Sequence, residues 1–282
     1  MRTVTSIELP ENRTGMLRPA GSLCRRELVR FIRQPNRVVG ALATPVLFWL
    51  FIGAGFGSSF RAPSVEGLAS AGPQQNYIQY FFPGTVTMIL LFTAIFSTIS
   101  IIEDRREGFL QSVLVAPVGR MAVVLGKVLG GTVLATGQGT LFLLLAPLVG
   151  VHFTLASAAL SVLIMLVVSF ALTALGFCIA WRMTSTQGFH AIMNLFLMPM
   201  WFLSGALFPM TGAWGGMQVV MKLNPLSYGL AGLRRTLYWG DEAAAVGLPG
   251  LGVCLFVSFL FAAGMFTLAS IIARSRSAAD AQ

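Results

Sequence analysis

The chain has 282 residues, of which 19 are Lys or Arg and 10 are Asp or Glu. Soluble domains carry about a quarter of their residues charged; here the share is 10%, with 56% hydrophobic and a mean hydropathy of +0.79. A soluble enzyme, a disordered chain and a coiled coil are excluded, which leaves an all-α polytopic membrane protein.

The first 37 residues are polar and Arg-rich, with no apolar run before Val38 that could serve as a signal-peptide core. From Ser22 to Arg37 a helical period places Arg26, Arg30, Arg33 and Arg37 within a sector of about 60°, opposite Cys24, Leu28, Phe31 and Ile32. Such a helix is expected to lie in the membrane interface, apolar face in lipid and arginines toward phosphates. Pro35 breaks it just before the first span.

A span needs about 20 mostly apolar residues. Val38–Phe60 supplies the first and Tyr80–Ile102 the second. Next comes Glu103–Pro117, whose Phe109, Leu110, Val113 and Leu114 form an apolar stripe on a short helix with charges at its N-terminal end. Val128–Trp181 is 54 residues without an ionised side chain, enough for two spans divided at Pro147–Leu155. Phe189–Phe208 is the fifth span and Gly250–Ile272 the sixth. Between them, Met210–Val220 is too apolar for a solvated loop and is read as a re-entrant or interfacial segment. The organisation is thus an arm (1–37), a six-span domain (38–273) and a tail (274–282).

Fifteen of the Lys and Arg residues fall on the side of the two termini and four (Arg61, Lys222, Arg234 and Arg235) on the other. The excess of positive charge places both termini in the cytoplasm. The same interspersed distribution, rather than one basic face, argues against nucleic acid as the partner of a chain of net charge +9.

Every acidic residue lies outside the spans as drawn, which argues against an ion-coupled transporter. No HExxH, GxSxG or P-loop is present, and the three cysteines have no metal-like spacing. No metal or cofactor is expected in this chain, and energy for uphill transport would have to come from another polypeptide. Within the spans, Gly131, Ala135 and Gly139 form a small-residue stripe for close helix packing. Gln138, Asn194 and Ser204 are the polar groups that could line a path, with interhelical hydrogen bonding as their alternative use. So sparse a polar set suits a hydrophobic or amphipathic solute.

Several segments carry a resemblance: Ile102-Glu103-Asp104-Arg105-Arg106-Glu107-Gly108-Phe109-Leu110; Leu114-Val115-Ala116-Pro117-Val118-Gly119-Arg120; Leu125-Gly126-Lys127; and Asn224-Pro225-Leu226-Ser227-Tyr228. In this order, and with six spans between Arg26 and Arg274, they resemble the type-2 ABC exporter permease family. The resemblance implies a six-helix half-transporter that pairs with a second permease copy and docks on an ABC ATPase subunit that binds the ATP. It implies an N-terminal interfacial helix, a cytoplasmic coupling helix and an external re-entrant segment. It assigns ATPase coupling to Glu103, Glu107, Gly108, Phe109 and Leu110. The solute would be a drug, lipid or glycoconjugate, moved outward across a bacterial inner membrane. An ion-gradient-driven transporter or a lipid flippase without an ATPase is the alternative reading.

Overall fold

Long apolar runs closed by charged turns produce six membrane-length helices in the computed structural model, which describes residues 16–56, 76–116, 118–151, 153–241 and 243–275. The backbone of those residues is helical or irregular, with no strand among them. Pro117, His152, Glu242 and the first fifteen residues lie outside the described set, as do the side chains of Arg37 and Leu114.

In chain order, α1 (Leu17–Ile32) precedes the first spanning helix α2 (Pro35–Phe56). The second is α3 (Tyr77–Arg106), followed by the short α4 (Phe109–Val115). Then come α5 (Arg120–Leu143), α6 (Leu155–Ala180) and α7 (Thr186–Trp201). The segment after α7 holds α8 (Gly215–Leu223) and α9 (Pro225–Leu237), and α10 (Leu251–Ser275) is the sixth spanning helix. The central helix is α3, which packs against α2, α5, α6, α7 and α9, while α2 and α10 expose most of their surface at the periphery.

The long apolar stretch divides where expected. A turn at Ala146–Val149 ends in Gly150 at φ 78°, and the Thr154 hydroxyl caps α6 by accepting the Ser157 N–H at 3.2 Å. Arginines close the helices at the opposite end. Arg105 donates to the carbonyls of Trp181 and Met183, Arg106 to Thr184, and Arg120 to Ala273 and Arg274. The Trp181, Ala273 and Arg274 carbonyls are at the ends of α6 and α10, where positive charge also meets the negative pole of the helix dipole, and Met183 and Thr184 lie in the turn after α6.

The small-residue stripe on α5 is an intramolecular contact. A Cβ on Gly131 would sit 2.4 Å from Ser97 Oγ on α3 and 2.5 Å from Thr173 Cγ2 on α6, and one on Gly139 would meet Leu90 Cδ2 at 2.7 Å. A second pair on the same helix faces α1: a Cβ on Gly126 would lie 2.8 Å from the Ala20 carbonyl oxygen, and one on Gly130 would lie 2.8 Å from Glu27 Cβ. Close backbone approach is how helices gain contact area where lipid offers no hydrophobic drive.

At the end away from the arginines, α7 passes into a π turn at Phe202–Ala206 with Gly205 at φ 89°. Non-helical backbone at membrane depth survives only if protein groups satisfy it. Here side chains do so: Asn224 donates to the Met200 carbonyl (2.6 Å), Ser227 to Leu203 (3.3 Å), Tyr80 to Gly205 (3.1 Å) and Tyr77 to Leu207 (3.0 Å). A related repair occurs in α3, where Pro83 has no N–H to offer the Gln79 carbonyl. The Tyr238 hydroxyl donates to that carbonyl instead, at 2.5 Å.

The re-entrant element differs from the expectation of Met210–Val220. It comprises α8 and α9, and the deeply packed arm is Pro225–Leu237, whose Leu226, Leu230, Leu233 and Leu237 are buried against α6, α10 and α3. The earlier segment is the more apolar of the two, whereas α9 carries two arginines that obscure its buried face in the sequence. Asn224 organises the element: besides holding Met200, its Oδ1 accepts the Leu226 N–H and caps α9. Asn224→Ala is expected to cost about 1 kcal/mol for the lost cap and about 1–3 kcal/mol for the unsatisfied buried carbonyl. A chemical-denaturation midpoint in detergent equal to wild type would refute this.

Candidate functional site

At the arginine-rich end, two of the arginines of α1 do not turn outward as expected. The helix packs on α5 through Ala20, Leu23, Glu27 and Phe31, and Arg26 and Arg30 turn inward onto the end of α3. The inward turn of these arginines goes with a carboxylate on the buried face of the helix. Glu27, between Leu23 and Phe31 at helical spacing, has to be paired once that face is covered.

The pairing centre is Asp104, with 0% exposure. Arg26 donates to both its oxygens, at 3.0 and 2.8 Å, in the bidentate geometry that suits a guanidinium. Arg30 reaches the same carboxylate and also Glu103 (2.9 Å) and Glu107 (3.2 Å). From α5, buried Lys127 donates to Asp104, to Glu27 (2.6 Å) and to the Ser100 hydroxyl (3.2 Å). The hydrogen bond to Asp104 raises the pKa of the Arg26 guanidinium above its ordinary value. Three helices are thereby locked by charge-assisted bonds, of which those of Lys127 to Asp104 and Glu27 are buried, where such bonds are stronger than at a surface.

The placement of acidic residues outside the spans is corrected accordingly. The second spanning helix continues through Ile102 to Arg106 and carries Glu103 and Asp104 with it. Charge is tolerated there because Arg26, Arg30 and Lys127 meet it. Nor is Glu103–Pro117 one helix. Gly108 at φ 76°, a conformation that favours glycine, separates the end of α3 from α4.

The residues assigned to coupling therefore take distinct positions. Glu103 and Glu107 bind Arg30, and Gly108 makes the turn. Phe109 lies beneath the Arg26 guanidinium, 3.7 Å from ring centroid to carbon. Leu110 is buried in the core. What α4 offers outward is Gln111, Ser112 and Val115, the last 86% exposed. Arg33 is exposed and lines a groove with Arg25, Arg26, Arg30 and Glu107. Asp104, Glu27, Lys127, Gly126 and Gly130 went unassigned in the sequence reading. The signals for them were Glu27 on an apolar helix face and Lys127 at the head of an apolar run.

The three candidate path residues occupy separate environments. Gln138 is buried between α5 and α3, accepting a hydrogen bond from the Thr93 hydroxyl. Ser204 donates to the Trp201 carbonyl (2.6 Å) and lines a cavity beside α8 and α9. Asn194 is exposed on α7, in an apolar groove with Phe92, Phe96, His190 and Leu197.

A family model for the ABC-2 type transporter matches residues 20–238. Among curated proteins, a "Putative transport permease ycf38" of Cyanophora paradoxa is 25% identical over 215 residues, covering 75% of this chain and 71% of that protein. "Nodulation protein J" of Sinorhizobium fredii is 27% identical over 225 residues, covering 79% of each chain, and that of Rhizobium leguminosarum is 26% identical over 226 residues. The matched region runs from the first residues of α1 that touch α5, through the Asp104 cluster and α4, to the end of α9. This chain belongs to the ABC-2 type transporter family, as the multi-pass membrane subunit of a transporter.

Proposed function

We propose that the chain is the permease half of an ATP-driven exporter that moves a hydrophobic or amphipathic solute, such as a drug, lipid or glycoconjugate, out of the cytoplasm. The arginine-rich end faces the cytoplasm of a bacterial cell, with both termini there, and the α8–α9 element faces outward. ATP is bound by an ABC ATPase, the usual partner in this family, and no cofactor resides in this chain. Two permease copies form the transporter, and the face of α7 bearing Asn194 lies between them. In favour of that face, Asn194 is exposed among Leu195, Phe196 and Ile192, and an amide is costly against lipid alone.

The observation that carries this reading is the junction of α4 with the membrane helices. Arg26 holds Phe109 of α4 on one side and Asp104 of α3 on the other, while Lys127 ties the same carboxylate to α5. A push on α4 therefore reaches two central spans through short, buried bonds rather than through a loose loop. ATP-driven closure of the partner subunits supplies that push, and the spans respond by alternating access.

Brief cross-linking in native membranes, followed by mild-detergent purification and mass spectrometry, tests the partnership. A stoichiometric P-loop ATPase is expected, cross-linked near α4 or the N-terminal arm. Val115→Glu should weaken its association by at least about tenfold by placing a charge in the contact. Glu107→Arg should weaken it too by reversing an exposed charge beside the groove. A permease that purifies without an ATPase, and transports on an ion gradient alone, would refute the proposal.

A further inference from the structure

At the end of the molecule away from the Asp104 cluster, α9 carries Arg234, whose side chain is enclosed at 6% exposure. The guanidinium lies over the Tyr80 ring at 4.1 Å, and Nη2 makes long contacts of 3.3 and 3.4 Å to the carbonyls of Tyr80 and Gly205. Its Nε is buried with no hydrogen-bond partner. Among the described residues no carboxylate pairs with it. This contrasts with Arg26, Arg30 and Lys127, each neutralised by acidic groups within the fold. The neighbouring Arg235 also differs, because three loop carbonyls (Ala245, Leu248 and Pro249) satisfy it. A buried cation without a counter-charge is costly and marks a binding function by default.

Arg234 lines a cavity of 530 Å³, within the range of small-molecule sites. The lining is otherwise largely apolar, with Met221, Leu230, Leu248 and Val253 among its residues. Hydroxyls of Ser204, Ser227 and Tyr228 sit on the same lining, and Lys222 adds a second positive charge. A polar, cationic pole beside an apolar wall is complementary to an amphiphile with an anionic head.

We infer that this cavity binds an amphiphile through a phosphate or carboxylate headgroup, which supplies the counter-charge that no described residue gives Arg234, with the apolar tail along Met221, Leu230 and Val253. Two sources could provide this chemistry: a resident anionic membrane lipid, or the transported solute itself on its way out. Binding does not depend on the proposed energy source; only the choice between the two sources rests on the exporter reading.

The probe is fluorescent lysophosphatidic acid, with lysophosphatidylcholine as its zwitterionic counterpart, titrated into the full chain in a neutral detergent. Wild type should prefer the anionic probe by at least about tenfold, and Arg234→Gln should remove that preference. Arg234→Lys should keep part of it, since the charge remains while the bidentate fork is lost. If Arg234→Gln fails to fold, Val253→Trp narrows the cavity from the half-exposed α10 wall and should weaken the anionic probe with Arg234 intact. Equal affinity of wild type for both probes would overturn the inference, as would unchanged binding in both Arg234→Gln and Val253→Trp. In proteoliposomes with the ATPase partner, ATP-dependent movement of the labelled lipid between leaflets identifies a transported solute. Saturable Arg234-dependent binding without movement identifies a resident lipid, and both results uphold the site.

Discussion

Asp104→Ala is expected to be the most damaging single substitution in the chain, destabilising the fold by about 3–5 kcal/mol. It removes a fully enclosed carboxylate and leaves Arg26, Arg30 and Lys127 converging on a space with no anion of its own. Glu27 and Glu103 retain Lys127 and Arg30 respectively. No remaining carboxylate bridges all three helices. The thermal midpoint in detergent should fall by several degrees, and α1 should become susceptible to proteolysis. Asp104→Glu should recover only part of the loss, because an added methylene must fit in an enclosed site. A midpoint within error of wild type for Asp104→Ala would show that the cluster does not hold the end of the bundle.

The second large effect comes from Gly131. Gly131→Val is expected to cost about 1–3 kcal/mol or more through overpacking, since the first added carbon already meets Ser97 and Thr173 at 2.4 and 2.5 Å. Both neighbours belong to packed helices, so relief requires moving α3 or α6 away from α5. Gly137, two turns along the same helix, is the internal control. A Cβ there meets nothing within 4 Å. Gly137→Ala should therefore be neutral or stabilising by up to about 1 kcal/mol, through helix propensity. If the two substitutions shift the denaturation midpoint equally, the loss reflects the number of glycines and not their contacts.

The spanning helices were legible because the bilayer imposes a length and a composition, and nothing else in a chain of this hydropathy meets both. The turn between α5 and α6 was legible too, from Pro147, Gly150 and Thr154. What could not be read was the pairing of charges, since Glu27 and Lys127 stand 100 residues apart and Arg26 and Asp104 stand 78 apart. Charges flanking apolar runs look alike whether they face water or one another. Arg105, Arg106 and Arg120 read in the sequence as orientation signals, whereas Arg105 and Arg120 also close the ends of neighbouring helices and Arg106 holds the turn after α6. Arg234 is the sharpest case: counted as one of four basic residues on the outer side, it lies enclosed on the face of α9 that also buries Leu230 and Leu237.

The three-to-one arrangement around Asp104 has a consequence for how this end of the molecule tolerates change. Arg26, Arg30 and Lys127 are partly redundant, because losing one leaves two cations on the carboxylate and a second acid for the survivors. Single losses among them should be mild, and double losses steeper than their sum. The acid at the centre has no such understudy. A lineage could drift through the arginines one at a time, but it could exchange Asp104 only after rebuilding the partners around it.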